Sequence, residues 1–137
     1  VVFRTCHTLY APKSIHRVID VFHTEQQNQI RTTLAESING VVAQNLFIRI
    51  DKPGRVAALE ILVVDTAIAD LIREGKTHQV PSMIQVGKKK GNQPLDDAIM
   101  EHLRQMRISP EEAYDKSIDK KKVRAFLKSP PESDFEE

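Results

Sequence analysis

The sequence predicts an α/β fold that is mostly helical, with a β-hairpin near its middle and a helical C-terminal region. Two features support this class. Several stretches repeat their apolar residues at the spacing of one helix face. Two strand-like runs, residues 46–50 and 56–64, flank a segment that contains proline and glycine. At 137 residues, the chain has the length of one domain, and such a domain buries roughly 70% of its unfolded surface.

Two helices are predicted before the hairpin. Apolar residues at helical spacing predict the first one over residues 14–22. Thr24 and Gln27 have the spacing of a capping box, which predicts that a second helix begins there. We expect this second helix to be the central one and to continue for about six turns. Its apolar face consists of Ile30, Leu34, Ile38, Val41, Val42 and Leu46.

The hairpin follows from alternation and from its turn residues. Leu46, Ile48 and Ile50 recur at every second position, and residues 56–64 are apolar and rich in β-branched side chains. Residues 51–54, with the sequence DKPG, are typical of a turn. A hairpin with a turn of more than two residues is therefore favoured over a helix.

The helices after the hairpin are predicted from the signals at their ends. Asp65 or Thr66 can cap a helix that carries an apolar stripe. Gly75 can end that helix in the left-handed conformation, which costs other residues more. The remaining helices are predicted at residues 81–86, after Pro94, after Ser109 with Pro110 in the first turn, and at residues 120–127.

The two ends of the chain carry their own predictions. Residues 1–3 form an apolar, β-type run with no preceding turn or cap, and we interpret them as a cut through a strand. Residues 129–137, SPPESDFEE, join two prolines and four carboxylates to a single aromatic side chain. This composition offers too little apolar surface to offset the entropy of ordering, so residues 128–137 are predicted to be a disordered tail.

Composition excludes several classes of function. The net charge of +1, from 20 basic and 19 acidic residues, gives no global field that favours nucleic acid or anionic lipid. The basic runs at residues 88–90 and 120–122 are short and lack interleaved aromatic side chains, so we interpret them as solvated faces and expect no nucleic-acid partner. Cys6 is the single cysteine, which excludes an internal disulfide and a zinc-type cluster and favours a reducing cytosol. The sequence shows neither a leader pattern nor a membrane-spanning apolar stretch.

The candidate chemistry begins at residues 5–8, where the first apolar run ends. The His7 imidazole can donate to a phosphate oxygen, and the hydroxyls of Thr5 and Thr8 can orient water or phosphate. From the residues alone, a surface or interface histidine bonded to a carbonyl is favoured over a phosphate contact. Cys6 points away from His7 on a strand, and the spacing from His7 to the next histidines is not that of a helical metal site. A thiol nucleophile and a metal centre are therefore not expected.

Residues 75–77, with the sequence GKT, copy the end of a phosphate-binding loop, GxxxxGK[ST]. The first glycine of that motif falls at position 70, where Asp70 stands. A carboxylate would repel a polyphosphate at this point, and the three residues end a predicted helix instead of joining a strand to a helix. Nucleotide binding is not expected here.

Five stretches carry a resemblance to a known family. Residues 65–79, DTAIADLIREGKTHQ, resemble the AIRNLIRE box of pilus-retraction ATPases of the twitching-motility, PilT type, which belong to the type II/IV secretion ATPase superfamily. Residues 1–8, VVFRTCHT, are similar to the end of that superfamily's histidine box, LVFGTLHT. APKSIHRVIDVF, GRVAALEIL and GNQPLDDAI resemble further segments, so that the similarity runs from residue 1 to about residue 125.

The resemblance implies a fold and a set of site residues. The chain would be the end of a RecA-like P-loop ATPase domain, with residues 1–64 in the ATPase core and residues 65–127 in a helical C-terminal region. His7 would face the γ-phosphate, with Thr5 and Thr8 beside it, and Arg17 would lie at a subunit boundary. The retraction box would couple hydrolysis to retraction through Ala67, Ile68, Leu71, Ile72, Arg73 and Glu74. Ala69 and Asp70 replace an arginine and an asparagine of that box.

The resemblance also implies partners. The parent protein would be a homo-hexamer that hydrolyses ATP with Mg²⁺, at the cytoplasmic face of the inner membrane beneath a pilus platform protein. The Walker A and B motifs are not found in this sequence, so the isolated chain is expected to bind no cofactor and to hydrolyse no ATP. The four-cysteine zinc insertion of assembly-type members is also not found, which favours retraction over extension. The alternative is a stand-alone, non-enzymatic binding module that regulates a pilus or secretion assembly.

Overall fold

The computed structural model describes residues 1–129 and divides the chain into two compact units. The first unit comprises Val1–Asn45 and Leu59–Pro94, and the second comprises Leu46–Ala58 and the residues from Leu95 onward. The helices are α1 (Ala11–Asp20), α2 (Thr24–Ser37), α3 (Thr66–Arg73), α4 (Val80–Val86), α5 (Leu95–Arg104), α6 (Pro110–Lys116) and α7 (Lys120–Arg124). Two strands, β1 (Gly40–Ile48) and β2 (Arg55–Val63), form a two-stranded sheet, and short 3₁₀ turns lie at Thr77–Gln79 and Lys88–Lys90. The predicted class, mostly helical with one hairpin, is confirmed.

Each unit has its own apolar core. In the first unit, the buried faces of α1, α3 and α4 pack together with Leu62 of β2. Its buried members are Ala11, Ile15, Ile19, Ala35, Leu62, Ile68, Ile72, Val80 and Ile84. In the second unit, the core is built on Phe47 and on the inward faces of α5 to α7. Its buried members are Phe47, Ala58, Leu95, Ile99, Leu103, Ile108, Ala113 and Val123.

The hairpin is confirmed and is longer than predicted. Val64 N–H donates to Asn39 O at 3.0 Å and Arg49 N–H donates to Gly54 O at 3.1 Å, which fixes one register along both strands. Its turn occupies residues 49–54 and so exceeds two residues, as the sequence predicted.

The prediction of a six-turn central helix is wrong. Helix α2 ends at Ser37, and Val41, Val42 and Leu46 lie in β1. The backbone becomes extended at Ile38 (φ −77°, ψ 124°). The β-branched residues that follow pair with β2 and form the hydrogen bonds of the sheet there. The predicted capping box is also wrong: His23 is the N-cap residue, Thr24 is already helical, and the Gln27 side chain donates to Phe22 O at 3.2 Å.

Other local signals are confirmed. Asp65 caps α3, since its Oδ1 accepts from Ile68 N–H at 3.0 Å, and Gly75 follows α3 with φ +72°. Ser109 caps α6 by accepting from Glu112 N–H at 3.2 Å. Helix α7 is shorter than predicted and ends at Arg124.

The predicted first strand is not formed. Residues 1–8 have no regular secondary structure, and Val1, Val2 and Phe3 are almost fully exposed. A strand needs a neighbour for its backbone groups, and within residues 1–129 the sheet holds only β1 and β2. The predicted disordered tail lies outside the described residues from position 130 onward.

The predicted division of the chain after residue 64 stays a prediction. The two compact units are cut elsewhere, because α3 and α4 pack with α1 and α2 in the first unit. Within residues 1–129, we find no helix of the length and apolarity that a bilayer crossing needs.

Candidate functional site

The histidine segment lies at the start of the first unit, immediately before α1. His7 and Thr5 are exposed, and Thr8 is half-buried. The Thr8 hydroxyl is hydrogen-bonded to the Ser14 hydroxyl of α1. Arg17 Nη1, also on α1, donates to His7 O at 3.4 Å. The structure therefore brings Arg17 to the main chain of His7 and leaves the imidazole open to solvent.

Two buried polar side chains of the hairpin hold the main chain just after this segment. Asn45 Nδ2 donates to Leu9 O at 2.8 Å, and Glu60 Oε1 accepts from Ala11 N–H at 2.6 Å. Neither residue was predicted from the sequence as part of the site. Their signal was a polar side chain at an inward position of each strand, where the neighbouring inward residues are apolar.

The retraction box occupies α3 and the residue after it. Ile68 and Ile72 are buried in the first core and Leu71 is half-buried, whereas Ala67, Arg73 and Glu74 are exposed. The predicted apolar stripe thus packs against its own unit. The charged C-terminal end of the helix is exposed to solvent.

The exposed charges of the box are paired with near neighbours. Arg73 Nη1 forms an ion pair with Asp70, one helical turn earlier. Glu74 Oε2 lies 2.7 Å from Lys76 Nζ, and this hydrogen bond lowers the pKa of the Glu74 carboxyl. Asp70 stands where the box that this segment resembles has an asparagine, and it gives Arg73 an ionic partner on its own helix.

The GKT segment has none of the geometry of a phosphate loop. Gly75 ends α3, and Thr77 is buried with its hydroxyl hydrogen-bonded to His16 Nε2 of α1. The Thr77 hydroxyl is therefore engaged with the side chain of the exposed His16. That these residues form no nucleotide cradle stays a prediction.

The start of α3 is tied to the 3₁₀ turn at Lys88–Lys90. Lys90 Nζ lies 2.6 Å from Asp65 Oδ2, while Asp65 Oδ1 caps the helix. The Lys90 ammonium, together with the Ile68 N–H, lowers the pKa of the Asp65 carboxyl from its ordinary value of 3.8. The carboxylate form is therefore the one that the folded chain stabilises.

This pKa shift predicts a pH-dependent stability. The folded pKa of Asp65 lies below its unfolded value, so its contribution is complete above an unfolded pKa of about 4 and is lost as the pH falls through the folded pKa. We expect urea titrations to show that wild type loses more stability than Asp65→Asn between about pH 5 and pH 3. The pKa values of Asp51 and Glu74 are also lowered, but both residues are present in wild type and in the variant. The difference in pH-dependent stability between the two proteins therefore comes from Asp65. Parallel curves for the two proteins would contradict the assignment.

For metals, we find no group of three or more His, Cys, Asp or Glu side chains in residues 1–129 that could hold an ion. Cys6 is an exposed free thiol. The role of His7 as a phosphate donor stays a prediction, and its side chain is exposed.

Comparison with known proteins identifies close relatives. The chain is 43% identical over 116 residues to the type IV pilus retraction ATPase PilT of Pseudomonas aeruginosa, covering 85% of this chain and 33% of that protein. It is 41% identical over 112 residues to a twitching motility protein of Neisseria gonorrhoeae, covering 82% of this chain and 30% of that protein. The chain therefore spans about a third of the length of these relatives. No protein-family model matches the chain.

Solved structures give the same result. The crystal structure of the pilus retraction motor PilT with bound ADP matches with a TM-score of 0.73 and 36% identity, over 85% of this chain and 32% of that chain. The ATPase DotB of Legionella pneumophila matches with a TM-score of 0.62 over 78% of this chain and 29% of that one, and at 24% identity it shows a shared fold alone.

The matches to the two bacterial relatives and to the PilT structure define the class as the C-terminal portion of a secretion-superfamily ATPase. Within that class the chain belongs to the PilT-type family, with which it shares 41–43% identity over more than four-fifths of its length.

Proposed function

We propose that this chain acts as the C-terminal part of a type IV pilus retraction motor, in which ATP hydrolysis drives pilus disassembly and twitching motility. One observation carries the proposal: the 43% identity to the P. aeruginosa retraction ATPase over 85% of the chain. The folded α3, with a buried stripe and an exposed charged end, supports a role for the box as a rigid coupling element.

In the proposed motor, His7 and α3 have different tasks. The His7 imidazole donates to the γ-phosphate of ATP, and Thr5 and Thr8 help to orient water or phosphate. Arg17 lies at a subunit boundary, and its hydrogen bond to His7 O keeps its guanidinium close to the main chain of His7. The exposed Arg73 and Glu74 contact a neighbouring domain or subunit when the site closes.

The proposed parent assembly is a homo-hexamer at the cytoplasmic face of the inner membrane, in contact with a pilus platform protein. Mg²⁺ supplies charge neutralisation on the phosphates when it is bound with ATP. We assign no residue of this chain as its ligand. In this motor ATP is cradled by residues other than Gly75 and Thr77, and the hydrogen bond of the buried Thr77 hydroxyl to His16 supports this proposal.

A chimeric motor tests this proposal. In it, this chain replaces the matching segment of the P. aeruginosa retraction ATPase in a strain that lacks its own copy. We expect the chimeric motor to restore twitching and, when purified, to hydrolyse ATP. A chimeric motor that assembles and hydrolyses ATP without restoring twitching would refute the retraction role.

Two variants of the chimeric motor separate the proposed tasks. His7→Ala should lower ATP hydrolysis by about 10²-fold, the size typical of a lost transition-state donor. Arg73→Ala should leave hydrolysis within about threefold and reduce twitching, because the exposed guanidinium contributes to coupling and little to the fold. Equal effects of the two variants on hydrolysis would contradict the assignment.

A further inference from the structure

We propose that Asn45 and Glu60 are positioning residues that hold the main chain directly after His7 and Thr8, so that the His7 imidazole projects from a fixed base. The inference deepens the proposed function, since it concerns how this chain presents its phosphate-sensing side chain. It stands on four contacts within the first unit.

The first step is the burial of the two side chains. Asn45 is 5% exposed and Glu60 is 4% exposed, although both are polar. The register of the hairpin pairs Ala43 with Glu60, so Asn45 and Glu60 are diagonal neighbours on the inward face of the sheet. A buried amide and a buried carboxyl cost free energy unless they gain hydrogen bonds, so their partners show what the fold uses them for.

The second step is what these side chains bind. Helix α1 begins without a side-chain cap at Tyr10, and its second residue, Pro12, has no N–H to donate. Glu60 Oε1 accepts from the first helical N–H, that of Ala11, at 2.6 Å, and so places a carboxyl at the positive end of the helix. Asn45 Nδ2 binds the carbonyl of Leu9, just outside the helix, at 2.8 Å. Side chains of the two hairpin strands thus cap the N-terminus of α1.

The third step is the consequence for His7. Going back along the chain from α1, the anchored atoms are Ala11 N, Leu9 O, the Thr8 hydroxyl and His7 O. Every residue from 7 to 9 has one anchored group, while the imidazole of His7 itself is exposed. Misplacing a catalytic contact by about 1 Å can cost about a hundredfold in rate, so a fixed backbone at this point affects chemistry and not only stability.

Hydrogen exchange on the chain tests the positioning role without any need for ATPase activity. Asn45→Ala and Glu60→Ala should each raise the amide exchange rates of Ala11 and Ser14 by about tenfold or more relative to distant core amides, since Ala11 N–H is bonded to Glu60, Ser14 N–H is bonded to Tyr10 O, and each variant removes a hydrogen bond that holds this segment. Glu60→Gln keeps an acceptor oxygen at the same position and should restore exchange to within about threefold of wild type. Unchanged local exchange in a folded Asn45→Ala chain would overturn the proposal.

Asn92 provides a matched control. It is a buried asparagine of the same unit, 6% exposed, and its Oδ1 accepts from Val63 N–H at 2.6 Å. Asn92→Ala therefore removes a comparable hydrogen bond far along the chain from residues 8–14. We expect it to leave exchange there unchanged relative to the core. If Glu60→Ala unfolds the chain, Asn45→Ala and Glu60→Gln still decide the outcome against this control.

The chimeric motor supplies the second readout. Asn45→Ala should lower kcat for ATP hydrolysis by about tenfold and leave KM for ATP within about threefold, because a displaced donor weakens transition-state contacts more than ground-state binding. A purely structural role would leave both constants of the folded hexamer unchanged. If the unmutated chimeric motor is inactive while the exchange results hold, the proposed function fails and the positioning role of Asn45 and Glu60 stands.

Discussion

Replacing Ile72 with alanine is expected to lower the free energy of unfolding of the chain by about 2–5 kcal/mol. Ile72 is fully buried in α3, within the same core as Ile68 and Leu62, so the shorter side chain loses apolar contact and leaves a cavity. The cost depends on how far the neighbours relax into the space. Urea denaturation followed by circular dichroism measures it.

Arg73 provides the control at the next position of the same helix. Its side chain is 41% exposed and pairs with the exposed Asp70, so Arg73→Ala should change stability by no more than about 0.5 kcal/mol. This contrast separates the two halves of the retraction box. Its isoleucines hold α3 in place, whereas the exposed Arg73 contributes little to the stability of the fold. Comparable losses of stability for the two variants would contradict that division.

Several structural features that depend on a residue and its immediate neighbours were predicted correctly from the sequence. The cap at Asp65 and the left-handed Gly75 define α3, and both depend on bonds or torsions within a few residues. The turn at residues 49–54 is of the same kind. Such signals are complete within a short stretch of chain, so the positions of α3 and of the hairpin's turn could be predicted from the sequence alone.

The end of α2 could not be predicted in that way. Val41, Val42 and Leu46 fit a helix face as well as a strand, since an apolar run can satisfy either period over a short stretch. Pairing with β2 makes this run a strand, and the free energy gained by pairing cannot be read from either segment alone. The same argument applies to residues 1–3, whose β-type composition finds no partner strand within residues 1–129.

The candidate site shows the same limit. His7 and the retraction box were found from the resemblance, and residue chemistry alone favoured a plain surface position for His7 over a phosphate contact. Asn45 and Glu60 were missed because their partners lie 36 and 49 residues away in the chain. A polar residue at an inward strand position indicates that some partner exists, but only the tertiary structure identifies it as the segment after His7.

The second large effect is expected in the other unit, at Asp96. This carboxyl is 5% exposed, and its two oxygens accept from Ile118 N–H and Asp119 N–H, each at 2.8 Å. It therefore ties the first turn of α5 to the segment that precedes α7. Asp96→Ala removes the acceptor for two backbone donors at once, and we expect a loss of about 2–3 kcal/mol in the free energy of unfolding.

Asp96→Asn tests the cause of that loss. The amide keeps one acceptor oxygen but turns an NH₂ group toward the second backbone donor, so its cost should equal or exceed half that of Asp96→Ala. Asp115→Ala, which removes an exposed carboxylate of α6, should change stability by no more than about 0.5 kcal/mol. If Asp96→Ala were as mild as Asp115→Ala in urea denaturation, the two backbone bonds would contribute little, and the order of the α6–α7 segment would have to come from the packing of Ala113 and Val123 instead.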